Sequence, residues 1–184
     1  MRALLAILLA MPLSAQAGRY IGDDTVGTIN FDMQASLHGV PGSANSFTTE
    51  LNLAEAVTGK MVVQGNSITT GIGVRDKRMY EYCLETDKFP TIEFIVRGTK
   101  GDTEGLLSKA GSGKVDLHGQ LKIRSTTRDV VIPASYTWTE GKLQLAGQKQ
   151  VKWTDYGVPD PSIIISKLQP EIDVRFNVEL QEGL

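Results

Sequence analysis

Side chains that form disulfides and metal sites are scarce in this sequence. Its 184 residues include one cysteine, Cys83, and two histidines, His38 and His118. A single cysteine excludes an internal disulfide, and neither histidine has a Cys or His neighbour at the spacing of a zinc site. We therefore expect neither a disulfide framework nor a bound metal.

A surplus of basic charge is also missing. The chain carries 19 Lys and Arg against 21 Asp and Glu, a formal net charge of −2. Proteins that bind nucleic acid show a basic patch or stripe. A nucleic-acid partner is therefore not expected.

Long apolar runs are limited to the start of the chain. Arg2 precedes an apolar stretch from Ala3 to Leu13 of about eleven residues, whereas a membrane-spanning helix needs roughly 20. The small residues around Ala17 fit a signal-peptide cleavage site. We interpret residues 1–17 as a signal peptide that is removed after Ala17. This interpretation predicts export and leaves residues 18–184 as a single domain without a transmembrane segment.

Motifs for nucleotide binding and nucleophilic catalysis are incomplete. Residues 71–73 (Gly-Ile-Gly) begin a dinucleotide-binding loop, but Asp76 occupies its third glycine position. Residues 65–67 (Gly-Asn-Ser) begin a nucleophile elbow, but Thr69 replaces its last glycine. Neither fragment supports an enzyme class.

The chain does contain repeated alternation of apolar and polar residues. In residues 171–181, for example, Ile172, Val174 and Phe176 alternate with charged or amide side chains. Successive side chains of a β-strand point to opposite faces, so such a segment has one dry face and one wet face. Eight segments show a stripe of this kind: 28–35, 47–53, 60–64, 91–97, 113–124, 130–138, 143–153 and 171–181.

Eight antiparallel strands can form a sandwich or a closed barrel. The longest segment, 113–124, places Gly119 on its dry side, where a missing side chain permits strong coiling and so favours closure. The sequence thus predicts an all-β fold, an eight-stranded antiparallel barrel with an apolar internal cavity. A barrel of this size is either filled by side chains or holds one small ligand.

One short helix is predicted among the strands, over residues 74–84. Met79 and Cys83 stand four residues apart there, as do Tyr80 and Leu84. We interpret Cys83 as a small buried hydrophobic residue, with a reactive or dimer-linking thiol as the alternative.

Titratable groups are not expected inside the barrel, because the interior stripes of the clearest strands contain no carboxylate, histidine or lysine. General acid–base catalysis needs such a group at the substrate, whereas a binding cavity needs only apolar walls and a few polar groups. The pattern therefore favours binding over catalysis. The residues expected to line or back the cavity are Ile29, Phe31, Met33, Phe94, Val115, Leu117, Leu121, Ile132, Tyr136, Trp138, Ile172, Val174 and Phe176.

Several ordered motifs resemble those of the YceI-like family. They are Ser-Ile-Thr-Thr-Gly at 67–71, Arg-Asp-Lys-Arg at 75–78, Phe-Pro-Thr-Ile-Glu-Phe at 89–94 and Gly-Gln-Leu-Lys-Ile at 119–123. The resemblance implies a lipocalin-like barrel that is exported to the periplasm, holds a long isoprenoid or related amphiphilic lipid, and is often a homodimer. It implies no secure enzymatic activity. Residues 124–127 (Arg-Ser-Thr-Thr) depart from the family's His-Gly-Val-Thr turn, a change confined to one end of the barrel.

Three functional hypotheses follow. The first is an exported protein that sequesters or carries a polyisoprenoid or an isoprenoid quinone as its ligand, with no other cofactor. The second is a barrel scaffold that binds a partner protein, and the third is an enzyme acting on a lipid or redox substrate through Cys83 or His38. Under the first, micromolar binding at about 0.3 kcal/mol per heavy atom requires roughly 27 atoms, or about five or six isoprene units.

Overall fold

The computed structural model of the protein describes residues 18–36, 38–162 and 167–183. The predicted signal peptide, residues 1–17, and its cleavage site after Ala17 lie outside the described residues.

Strands dominate the described part of the chain, which contains eleven of them and two α-helices. The strands are β1 (Gly18–Asp23), β2 (Gly27–Ala35), β3 (Gly39–Ala44), β4 (Phe47–Leu53), β5 (Thr58–Gln64), β6 (Ile68–Thr69), β7 (Thr91–Gly101), β8 (Ser112–Ile123), β9 (Thr126–Thr139), β10 (Lys142–Lys152) and β11 (Leu168–Glu182). The helices are α1 (Gly73–Arg78) and α2 (Thr103–Leu107), and a π-helical turn, Met79–Leu84, continues α1.

The eleven strands within these ranges form eight walls of one closed antiparallel barrel. Strands β1 and β2 lie end to end against β11, since Ile21 pairs with Gln181 and Gly27 pairs with Val178. Strands β3 and β4 also lie end to end and form one wall, and β5 and β6 form the wall beside it. These two walls pair with each other, β3 with β6 and β4 with β5. Pairing of β1 with β11 closes the ring. The prediction of an eight-stranded antiparallel barrel is therefore confirmed.

In two of the three interrupted walls, β3 with β4 and β5 with β6, one short strand explains why the sequence shows only part of the wall. Strand β3 reads Gly-Val-Pro-Gly-Ser-Ala, and β6 has two residues. Neither has the length or the strict alternation that marks a strand in sequence. All eight predicted segments do fall on strands, and each of the larger ones carries its apolar residues inward, as in β9 and β11.

One end of the barrel is filled with side chains and closed by α2. Leu106 of α2 is completely buried, and its carbonyl oxygen accepts a hydrogen bond of 3.0 Å from Trp138 Nε1. The Trp138 ring meets Tyr20 edge to face at 5.2 Å between centroids, and the Tyr136 hydroxyl donates to Asp102 Oδ2 at 2.6 Å. We call this region the packed end.

The predicted helix over residues 74–84 is present at the opposite end of the barrel as α1 and the π-helical turn. Tyr80 fastens it to the barrel, because its hydroxyl donates to the Ile68 carbonyl oxygen at 2.6 Å. Among the residues that the structure describes, no helix has the length and apolar character needed to cross a bilayer.

Candidate functional site

A cavity of about 630 Å³ occupies the half of the barrel that the packed end leaves unfilled. Its walls come from the inward-facing side chains of every described strand except β1, and its mouth lies beneath α1 and the π-helical turn. The wall is built mainly from aliphatic, aromatic and Met side chains. Such a surface can bind an apolar molecule through contact and exclusion of water.

Ten of the thirteen residues expected at the cavity lie on its wall. They are Ile29, Phe31, Met33, Phe94, Leu117, Leu121, Ile132, Ile172, Val174 and Phe176. Whether they contact a ligand stays a prediction.

Val115, Tyr136 and Trp138 were expected at the cavity but lie away from its wall, buried in the packed end. The physical reason is depth along the strand. β9 carries Ile132 on the cavity wall, whereas Tyr136 and Trp138, four and six residues further along the strand, meet α2 and the residue before it. Alternation identifies the inward face of a strand but not the level at which the barrel is filled.

Lys149 corrects the expectation that no lysine faces inward. On β10 the inward positions recur at every second residue through Leu145 and Val151, and Lys149 shares this face and lines the cavity. Within the described residues no carboxylate lies at salt-bridge distance from it. Strict counting from Leu145 to Val151 would have found it. The break in the apolar stripe at Gly147 and Lys149 concealed this position.

Thr49 is a second polar wall residue that sequence reasoning missed. It lies on the inward face of β4 between Phe47 and Leu51, is 7% exposed, and pairs across the sheet with Met61. Its hydroxyl oxygen is buried and has no hydrogen-bond partner among the described residues. A bound molecule that filled the cavity would therefore meet one polar atom that the protein itself does not satisfy.

The mouth of the cavity is held in place by Asp76 at the start of α1. Its carboxylate accepts hydrogen bonds from the Thr69 hydroxyl at 2.6 Å and from the Thr70 backbone N–H at 2.8 Å. Burial opposes its ionisation, but these hydrogen bonds and the nearby Arg75 guanidinium outweigh burial and lower the pKa of Asp76 below its usual value. The ionised carboxylate therefore anchors α1 to the end of β6 at neutral pH.

The two residues considered for catalysis, Cys83 and His38, both line the cavity near its mouth. Cys83 is 5% exposed and is not in a disulfide. Burial, only partly offset by the guanidinium groups of Arg78 and Arg124, raises the pKa of the Cys83 thiol, which disfavours the nucleophilic thiolate. No cluster of His, Cys, Asp and Glu suited to a metal ion occurs in residues 18–36, 38–162 and 167–183.

Comparison with known proteins gives consistent matches over most of the chain. The family model described as "YceI-like domain" matches residues 20–180. A UPF0312 protein of Vibrio parahaemolyticus is 25% identical over 170 residues, which cover 84% of this chain and 85% of that protein.

Solved structures that share the fold include the following two. A polyisoprenoid binding domain from Saccharophagus degradans superposes with a TM-score of 0.76 at 15% identity, covering 91% of this chain and 100% of that one. BcnA of Burkholderia cenocepacia gives a TM-score of 0.74 at 14% identity, covering 86% and 98%.

Proposed function

The chain belongs to the YceI-like family, and from this premise we propose that its cavity binds a long-chain amphiphilic lipid, a polyisoprenoid or an isoprenoid quinone. The observation that carries the proposal is the apolar cavity of about 630 Å³, a volume typical of sites that enclose one ligand. The similar domain of Saccharophagus degradans is described as polyisoprenoid binding, which supports the same ligand class here.

The geometry also supports an orientation for the proposed ligand. Leu106, Trp138 and their neighbours close the packed end, so the apolar tail enters from the mouth and its far end stops above them. The polar head then stays at the mouth, where Arg75 and Arg78 line the opening. The protein is thus a carrier or sequestering protein that selects its ligand mainly by tail length.

Two measurements test this function. Organic extraction of protein purified from its native source, followed by mass spectrometry, is expected to release an amphiphile with a long isoprenoid tail. Titration of delipidated protein with prenols of increasing length is expected to show rising affinity until the tail fills the cavity. Absence of a native amphiphile together with affinities that do not depend on length would refute the proposal.

A substitution that fills the cavity, compared with the same substitution on the outer face of the barrel, tests whether the cavity is the binding site. Ala44 is buried on the cavity wall, whereas Ala146 lies on the outward face of β10. Ala44→Phe is expected to abolish prenol binding while circular dichroism still reports a β-barrel, and Ala146→Phe should bind normally. Release of a chemically altered lipid that requires Cys83 or His38 would favour an enzyme. A pull-down that survives both delipidation and Ala44→Phe would favour a scaffold.

We further propose that the protein is exported and acts in the periplasm as a mature chain beginning at Gly18. The support is the pattern of residues 1–17, a positive charge, an apolar run and a small-residue cleavage site. N-terminal sequencing of the protein from an osmotic-shock fraction is expected to begin at Gly18. Recovery of a chain that still carries Met1 from the cytoplasmic fraction would contradict export.

A further inference from the structure

Exposed apolar side chains are concentrated beside the mouth of the cavity. In the described part of the chain six large hydrophobic residues are exposed, and three of them, Ile72, Val74 and Tyr82, lie within one eleven-residue stretch. Val74 is 85% exposed and Ile72 is 53% exposed, yet both also line the cavity. Their apolar surface is therefore continuous with the wall on which the ligand tail would rest.

Basic side chains surround this apolar pair. Arg75, Lys77 and Arg78 follow it directly in α1, and the Arg78 guanidinium lies 4.8 Å from the centre of the Tyr82 ring. Asp76 does not offset the two exposed cations, Lys77 and Arg78, because it is 8% exposed and turned toward Thr69 and Thr70.

The exposed acid on this face of the helix is Glu81. Its carboxylate is 3.8 Å from Lys77 Nζ. Lys77 and Arg78 are exposed here against this one carboxylate, whereas Arg75 is half-buried and its guanidinium donates hydrogen bonds to Thr70 beside the buried Asp76. The face is therefore locally positive although the whole chain carries a formal net charge of −2.

We propose that this rim, formed by Ile72, Val74, Arg75, Lys77, Arg78 and Tyr82, docks on the surface of an anionic lipid bilayer to load or release the ligand. The inference rests on the proposed function, since it needs a ligand that leaves a membrane. Two features indicate that the partner of this rim is a lipid bilayer. Cations beside exposed aliphatic and aromatic side chains match the charge and the apolar interior of an anionic membrane surface. Continuity with the cavity lets an apolar tail pass from lipid to protein without crossing water.

The predicted association is weak and reversible. Two aliphatic side chains and two exposed cations provide much less anchoring than a transmembrane segment, and screening by salt reduces the attraction of the cations. A carrier requires this behaviour, because it must leave the membrane after loading.

Vesicle flotation tests the proposal with delipidated full-length mature protein. Binding is expected to vesicles of phosphatidylglycerol and phosphatidylcholine at low salt, with much less binding to phosphatidylcholine alone or at high salt. Ile72→Ser/Val74→Ser should weaken vesicle binding by about tenfold or more, whereas Val26→Ser should not change it. Val26 is the control because it is 44% exposed but lies between β1 and β2, away from the cavity wall.

Lys77→Gln separates docking from ligand binding, because Lys77 does not line the cavity. It should weaken binding to the anionic vesicles by about fivefold and slow transfer of a fluorescent prenol from them. Its affinity for the same prenol in detergent should equal that of the wild type. Failure of the wild type to float with anionic vesicles, while it still binds prenol in detergent, would overturn the docking proposal and leave the proposed function intact.

The same double variant also tests whether the rim instead binds a second copy of the chain. If Ile72→Ser/Val74→Ser converts a dimer to a monomer in sedimentation velocity and leaves vesicle binding unchanged, the rim is a subunit interface and the proposal is wrong.

Discussion

The packed end and the cavity end of this barrel are built from the same strands but differ in what fills them. At the packed end Tyr136 and Trp138 meet α2, and Asp102 and the Leu106 carbonyl accept hydrogen bonds from their polar atoms. At the cavity end Ile132 of the same strand faces open space. A buried Tyr or Trp needs a hydrogen-bond partner for its polar atom, and here α2 and Asp102 supply the partners. The short helix α2 therefore determines which half of the barrel becomes a core.

The largest difference between the two ends should appear in leucine truncation. Leu143 is completely buried in the core of the packed end, whereas Leu121 is partly buried and borders the cavity. Leu143→Ala is expected to lower the free energy of unfolding by about 3–5 kcal/mol, because it creates a new cavity in close-packed surroundings. Leu121→Ala should cost about 1–2 kcal/mol, since the space beside it is already open and mainly the transfer term is lost. Urea denaturation of ligand-free protein measures both, and equal losses would refute the distinction between the ends.

A glycine at the packed end provides the next test. A Cβ atom on Gly113 would lie 2.2 Å from Asp102 Oδ2 and 2.7 Å from the Tyr136 hydroxyl oxygen. Gly113→Ala should therefore lower the free energy of unfolding by about 1–3 kcal/mol through overpacking. Gly98→Ala is the control, because a Cβ atom there would meet no atom within 4 Å. A Gly113→Ala protein as stable as Gly98→Ala would show that the contact between Asp102 and Tyr136 can move without cost.

The Tyr136 hydroxyl should make the packed end sensitive to alkali. Burial first, and then its hydrogen bond to Asp102, raise the pKa of Tyr136 to about 12 from an ordinary 10.0. Between these pH values an unfolded Tyr136 has released its proton and the folded one has not, so stability falls as pH rises from 10 toward 12. Tyr136→Phe should remove this part of the pH dependence and cost about 1 kcal/mol at pH 8, where the hydrogen bond is intact.

Unfolding measured at pH 8 and at steps above pH 10 tests this expectation, with ultraviolet absorbance to follow tyrosine ionisation. Identical pH dependence in wild type and Tyr136→Phe would contradict it.

The sequence predicts which side chains face the inside of the barrel better than it predicts which part of the interior is packed and which is open. Alternation in β2, β9 and β11 gave the inward faces correctly, because burial on one side of a strand selects apolar residues at every second position. The sequence did not predict which half of the barrel is filled with side chains, because α2 comes from a glycine-rich segment, residues 98–113, with little periodicity. Lys149 and Thr49 were also missed. Both are inward residues whose polar chemistry is tolerated because they border a cavity and not a packed core.

The smallest predicted effect concerns Thr49 and the polarity of the cavity wall. The Thr49 hydroxyl oxygen is buried before any ligand binds, and no protein group among the described residues forms a hydrogen bond with it. Thr49→Val should therefore raise the free energy of unfolding by about 1 kcal/mol, because it removes an unpaired buried hydroxyl, and should leave the affinity for a purely hydrocarbon tail unchanged. Thr48→Val is the matched control, because Thr48 is the outward, exposed neighbour on β4. Urea denaturation and calorimetric titration with a prenol measure both variants. If Thr49→Val weakens binding, a polar atom of the ligand reaches this depth, and the cavity end then selects chemistry as well as length.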